Sequence, residues 1–234
     1  MRAFRSIIAR STRLKRVGAL LPMVFAALLT GCGIAHEKPY DAVDASKLGT
    51  RSGGYGLAPG AHSPDANVLD PSGNRVTLSS IRGNRPMALV FYRGGWCPPC
   101  NFQVHELSRS SSEFRRRGVR LVMISVDNPK HAVATAKEYG LDFEVLSDPE
   151  LAAHTAYRVV DQLGGTTNFM LARMGVDLEE RSGKQHHDVA VPSVFVIDAA
   201  GMIRWAHVDP DYAKRPTAAQ ILEAVDKAGI AAPE

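Results

Sequence analysis

The apolar positions of this chain fall into short runs set apart by polar punctuation. Met87 to Tyr92 is a continuous apolar run of strand length, the pattern of a strand buried on both faces. Val119 to Val126 repeats it. Between them, Pro98 to Arg117 has helical spacing, with Phe102, His105/Glu106, Leu107 and Phe114 on one face and Gly118 as its stop. Pro129 to Tyr139 predicts a helix ended by Gly140, Phe143 to Leu146 a short strand, and Pro149 to Tyr157 another helix. Upstream, Asn67 to Leu78 predicts a strand, a Pro/Gly turn and a second strand, followed by a helical turn at Ser79 to Arg82. Downstream, Ser193 to Ile197 and Met202 to Val208 predict a hairpin around Asp198-Ala199-Ala200-Gly201, and Thr217 to Ala228 a closing helix. Segment 160–190 has no such rhythm. Gly164-Gly165 breaks it, Asn168 to Met174 has the length of a short helix, and Arg181 to Asp188 is polar. Strands alternating with helices predict an α/β sandwich with a central mixed β-sheet flanked by helices and an N-terminal β-hairpin extension.

Before residue 58 the pattern differs. Residues 1–31 carry Arg2, Arg5, Arg10, Arg13, Lys15 and Arg16 and no acid, then an apolar stretch from Val17 to Leu29. That is the layout of an export signal. The apolar stretch is too short to span a bilayer, which takes roughly 20 residues, and Pro22 interrupts it. The junction Leu29-Thr30-Gly31-Cys32 resembles the lipobox of bacterial lipoproteins. That resemblance implies acylation of Cys32, a lipid anchor, and a place in the cell envelope facing the periplasm or exterior. Residues 32–57, rich in Gly, Asp, Lys and Ser, read either as a tether or as a loop packed on the domain. The domain itself is expected over 58–234.

Charge changes the picture only through this leader. The whole chain has a net charge of +4, from 28 basic and 24 acidic residues. Without the six leader residues, 22 basic residues face 24 acidic ones, so the charge balance implies no nucleic-acid partner. Arg115-Arg116-Arg117 closes a helix, where cations suit the dipole.

The candidate chemistry sits where the Met87–Tyr92 run ends: Arg93-Gly94-Gly95-Trp96-Cys97-Pro98-Pro99-Cys100. Two thiols at this spacing, at a helix start, can form and break a disulfide without moving the backbone. The chain has three Cys. With Cys32 lipidated, no third thiol remains to resolve the pair, so the cycle ends in a Cys97–Cys100 disulfide that needs an external thiol reductant. A Zn site takes four ligands, and there is no second Cys pair; His186-His187-Asp188 reads as a solvated loop. No metal or cofactor is expected. Cys97, at the N-cap of the following helix, gains from the macrodipole and is the expected nucleophile in thiol–disulfide exchange, with Cys100 releasing the partner. With peroxide the roles reverse: Cys100 attacks the O–O bond and Cys97 condenses with the sulfenic acid. Trp96 is expected to shield the pair or simply to pack. Arg93 either lends positive charge or is a solvated strand-end residue.

The order of these features resembles the thioredoxin superfamily, specifically its peroxiredoxin-like branch, the alkyl hydroperoxide reductase and thiol-specific antioxidant family. The likeness is carried by Phe91-Tyr92 before Gly94-Gly95-Trp96-Cys97-x-x-Cys100, by Val191-Pro192 before a strand, by Asp198-x-x-Gly201, and by Ala58-Pro59, Thr77-Leu78 and Arg82-Gly83 upstream. It spans roughly residues 58–230. It implies a thioredoxin-like fold and reduction of hydrogen peroxide or organic hydroperoxides, with a thiol–disulfide oxidoreductase of exported proteins as the alternative. The family's Pro-x-x-x-Thr-x-x-Cys site falls on Arg93, Cys97 and Cys100, so two of its three positions differ. Pro192 stands where the resemblance implies an activating Arg, and where thioredoxins place a cis-proline. A cis Pro192 would present backbone to the disulfide; a trans strand-edge proline is the alternative.

Overall fold

Successive side chains of the 87–92 run go to opposite faces of one sheet. Ala88, Val90 and Tyr92 enter one apolar cluster, and Met87, Leu89 and Phe91 enter the other. A strand buried on both faces is the centre of a layered α/β fold, and the rest of the chain is arranged about it. The computed structural model describes residues 41–42 and 48–230. The expected signal peptide at 1–31 and Cys32 lie outside the described residues.

In chain order the strands are β1 (Asp41–Ala42), β2 (Asn67–Leu69), β3 (Arg75–Thr77), β4 (Met87–Phe91), β5 (Arg120–Ser125), β6 (Glu144–Ser147), β7 (Val160–Gln162), β8 (Asp188–Ala190), β9 (Ser193–Ile197), β10 (Ile203–Val208) and β11 (Lys214–Arg215). The helices are α1 (Leu78–Arg82), α2 (Pro98–Arg116), α3 (Pro129–Glu138), α4 (Ala152–Ala156), α5 (Gly165–Arg173), α6 (Leu178–Ser182) and α7 (Ala218–Lys227). Seven strands form the main sheet in the order β10-β9-β4-β5-β6-β2-β3. β4, β5 and β6 run parallel, β9 is antiparallel to β4, and β10 to β9, so the sheet is mixed. α2, α3 and α7 cover the face that receives Ala88 and Val90; α1 and α4 cover the other. Among the described residues no helix is long and apolar enough to cross a membrane.

Four details correct or complete the sequence reading. The buried face of α2 is Cys100, Gln103, Val104, Leu107, Ser111 and Phe114, whereas Phe102 is 46% exposed. The phase is set by the redox pair at the helix start, which turns Phe102 outward. α4 starts late, because Leu151 takes a left-handed conformation, φ 59°, that no helix continues from. Of the two readings of 32–57, residues 48–57 follow the loop packed on the domain. Ser52 N–H donates to the Val208 carbonyl at 3.0 Å, Val208 N–H to the Thr50 carbonyl at 2.9 Å, and Tyr55 and Leu57 pack on the core. Segment 160–190 forms α5 and α6 between β7 and β8, which pair antiparallel.

Candidate active site

β4 delivers the site. Its last residue is followed by Tyr92 and Arg93, then by Gly94 and Gly95, which bring the chain against β5 and α3. A side chain at Gly94 would lie 2.7 Å from Asp127 Oδ2, and one at Gly95 would collide with Thr135 Oγ1. Gly94 also has φ 140°, where a β-carbon is strained. Cys97 then caps α2 with no side-chain capping bond, and Pro98 and Pro99 fill the first helical positions, where a missing N–H costs nothing. Asn101 Nδ2 donates back to the Gly95 carbonyl at 2.8 Å, tying the first turn of α2 to the loop.

Both cysteines are free thiols and both are buried, Cys97 at 2% and Cys100 at 0% exposure. They are not equivalent. Burial pushes the Cys100 thiol up, but a hydrogen bond from Cys97, the Arg215 guanidinium, and the backbone N–H and charge of Arg93 together pull it down to about 6. Cys97 is pushed up, first because its own proton serves as that hydrogen bond and then by burial. The surroundings therefore favour a negative charge on Cys100 over one on Cys97. The helix-dipole advantage expected for Cys97 is outweighed, because a macrodipole is worth less than a guanidinium in contact.

The guanidinium is the part the sequence did not reveal. Arg215, at 1% exposure, places Nη2 3.1 Å from Cys100 Sγ. Its Nη1 donates to Gln103 Oε1 at 3.0 Å and its Nε to the Tyr212 carbonyl at 3.0 Å. No motif marked Arg215, which lies beyond β10 in a polar stretch just before α7. Arg93 does not point into solvent. It is 9% exposed, its Nη2 pairs with Asp161 Oδ2 at 2.8 Å, and its guanidinium lies 4.6 Å from the centre of the Tyr212 ring. Much of its charge is answered by Asp161.

Behind the loop, Asp127 is buried at the end of β5. It accepts from Gly95 N–H at 3.2 Å and from Arg181 Nε of α6 at 3.0 Å. Burial pushes its carboxyl up against the pull of Arg181. Trp96 packs against the cluster of Val126, Leu178 and Val189, and the last two belong to segment 160–190, which therefore walls one side of the site.

Pro192 departs from the cis expectation. Its peptide bond is trans, and with Val191 it links β8 to β9. Its carbonyl accepts from Asp209 N–H at 3.3 Å. His186 and His187 turn to separate partners, the Pro149 carbonyl at 2.9 Å and Glu179 at 3.2 Å.

Known proteins align with this arrangement. The profile of the AhpC/TSA family matches residues 59–206. The thiol-disulfide oxidoreductase ResA of Bacillus subtilis is 30% identical over 145 residues, covering 62% of this chain and 72% of its own. A Mycobacterium tuberculosis chain provisionally named peroxiredoxin, Rv2521, is 33% identical over 101 residues, 43% of this chain. The match spans 64% of that relative's length. Among solved structures, peroxidoxin BcpB of M. tuberculosis superposes with a TM-score of 0.57 at 19% identity, covering 73% of this chain and 96% of its own. Reduced Prx3 of Vibrio vulnificus gives 0.60 at 14% identity, covering 73% and 99%. These structures share the thioredoxin-like fold, and with the profile covering the strand, the Cys pair and the hairpin, the chain belongs to the AhpC/TSA family.

Proposed function

We propose that this protein is a thiol-dependent peroxidase that reduces hydrogen peroxide or organic hydroperoxides, with Cys100 as the attacking sulfur and Cys97 as the resolving one. The observation that carries this reading is the contact of Arg215 Nη2 with Cys100 Sγ at 3.1 Å, a buried guanidinium that favours the thiolate on Cys100. The Cys100 thiolate attacks one oxygen of R–O–O–H and the O–O bond breaks. Cys100 becomes a sulfenic acid, and the alkoxide takes a proton and leaves as ROH. The Cys97 thiol then attacks that sulfur, water leaves, and a Cys97–Cys100 disulfide forms. A dithiol reductant returns both thiols by exchange and is itself oxidised to a disulfide.

The likeness to ResA and the Cys-x-x-Cys spacing favour a second reading, thiol–disulfide exchange with exported proteins through Cys97. Burial weighs against it. A protein disulfide must meet Cys97 Sγ directly, and that residue is 2% exposed with a raised thiol. A peroxide needs far less room.

Stopped-flow mixing of the reduced protein with stoichiometric hydrogen peroxide, followed by Trp fluorescence, decides between them. Oxidation orders of magnitude faster than a free thiol, lost in Cys100→Ser but kept in Cys97→Ser, supports the peroxidase. A rate no better than a free thiol leaves exchange as the function. The Leu29-Thr30-Gly31-Cys32 sequence supports a lipid-anchored location in the cell envelope. Unchanged processing and membrane association of Cys32→Ser would remove that part of the proposal.

A further inference from the structure

Gln103 lies on the buried face of α2, three residues after Cys100, at 1% exposure. A buried amide is costly unless it is bonded, so its partners account for its presence. Oε1 accepts from Arg215 Nη1 at 3.0 Å, and Nε2 donates to the Pro216 carbonyl at 3.0 Å. Only this orientation of the amide satisfies both partners, because the flipped one would set an NH₂ against the guanidinium and an oxygen against a carbonyl. Gln103 thus grips the side chain of Arg215 and the backbone that follows it. Pro216 adds a restraint of its own, since the residue before a proline is held to extended conformations. With Nε on the Tyr212 carbonyl and Nη1 on Gln103, the remaining nitrogen, Nη2, is left facing Cys100 Sγ.

The neutrality of residue 103 matters as much as its reach. Among the described residues, the hydrogen-bond partners of the Arg215 side chain are a carbonyl, an amide oxygen and a sulfur, none of them a carboxylate. Arg93, by contrast, is paired with Asp161. A carboxylate at 103 would take the guanidinium in a charge-assisted, two-point bond and set a negative charge beside the sulfur. A neutral amide fixes the same geometry and leaves the cation unanswered except by Cys100.

We propose that Gln103 is a positioning residue of the redox site: by presenting Arg215 to Cys100 Sγ as an unneutralised cation, it makes Cys100 rather than Cys97 the attacking sulfur of the pair. This rests on the assignment of Cys100 under the proposed function and extends it to the residue that creates the asymmetry.

The test uses the full-length reduced protein with Gln103→Glu, which keeps a hold on Arg215 but answers its charge, and Gln103→Met, of similar volume, which lets go. Alkylation of Cys100 by iodoacetamide is followed against pH and read on its own peptide by mass spectrometry. Both variants are expected to move the midpoint of the profile upward by about one pH unit or more. Both should slow oxidation by peroxide at pH 7 by about twofold or more while approaching the wild-type rate at pH 9, where the thiolate forms regardless. A merely structural role would lower the melting temperature and leave the midpoint in place. Each variant is judged once its melting transition shows that it folds, and either alone decides. An unmoved midpoint overturns the proposal, as does a wild-type profile that puts the low midpoint on Cys97. A wild type that ignores peroxide would sink the peroxidase reading, yet the alkylation profile would still report what Gln103 does.

Discussion

The Nη2 of Arg215 lies 3.1 Å from the Sγ of Cys100, although 115 residues separate them in the chain. The contact joins the start of α2 to the turn before α7, across the end of the sheet. It supplies the cation for which the sequence holds only Pro192 at the corresponding family position, and that cation lowers the Cys100 thiol.

Replacing Arg215 with Leu should return Cys100 toward the ordinary thiol value of 9.0. The thiolate fraction at pH 7 would fall from about nine-tenths to a few per cent or less, so peroxide oxidation should slow roughly 30- to 100-fold. Arg215→Lys should recover only part of this, because a single ammonium cannot hold Gln103, the Tyr212 carbonyl and the sulfur together. Rates collected from pH 5 to 9 check the point. A wild-type profile with no inflection near pH 6 would count against the ion pair.

Stability should follow the same titration. The folded value of Cys100, about 6, lies below its unfolded value near 9. Between these values the unfolded chain binds more protons, so stability rises with pH across the window and is lost as pH falls through 6. Cys97 is shifted the other way and works against stability above the ordinary thiol range. Cys97→Ser isolates the first effect. Reduced Cys97→Ser should gain melting temperature from pH 6 to pH 8 relative to the double variant Cys97→Ser/Cys100→Ser. An equal gain in both would mean that Cys100 is not ionised in the folded protein.

The contrast between Cys97 and Arg215 explains what could be read from the chain. The α/β order, the strand at Met87–Phe91 and the helix from Pro98 were legible, because local periodicity and punctuation produce them. The Cys97–Cys100 pair was legible because its chemistry is local. Arg215, Gln103, Asp127 and Arg181 were not. Each owes its role to a contact across the fold, and a single arginine in a polar stretch carries no period. The sequence spacing puts Phe102 inward and the fold turns it outward, because the redox pair, not the largest apolar residue, sets the phase of α2. The small pairings β7–β8 and β1–β11 were missed because two- and three-residue strands leave no pattern to read.

Arg181 and Asp127 offer a test of the wall formed by segment 160–190. Asp127 sits at 0% side-chain exposure with Arg181 Nε 3.0 Å away, and it also takes the Gly95 amide of the active-site loop. Arg181→Gln removes the cation and leaves a buried carboxyl, a change that typically costs about 3–5 kcal/mol when nothing relaxes. Asp127→Asn combined with Arg181→Gln should recover part of the loss, since two amides can bond to each other. Urea denaturation of the wild type and the two variants measures this. A single variant as stable as wild type would mean that α6 does not hold the loop.

The charge balance at Arg215 should also make the site open when it is oxidised. In the reduced protein the guanidinium faces the Cys100 thiolate. Forming the Cys97–Cys100 disulfide removes that negative charge and leaves Arg215 a buried cation bonded only to neutral oxygens. Losing one partner of a buried pair is worth about 3–5 kcal/mol, enough to favour turning the guanidinium out to water. The segment that carries it is lightly held, with β11 only two residues long and Tyr212 half exposed at 46%. Release of residues 211–217 would uncover a pair that is buried in the reduced protein. Hydrogen exchange on the full-length protein, reduced or oxidised with diamide, should show the amides of this segment exchanging at least tenfold faster after oxidation, with β9 unchanged. Reduced Cys100→Ser should already exchange fast, because it lacks the charge without forming the bond. Equal protection of 211–217 in all three states would show that Arg215 stays in place and that the reductant reaches the pair by another route.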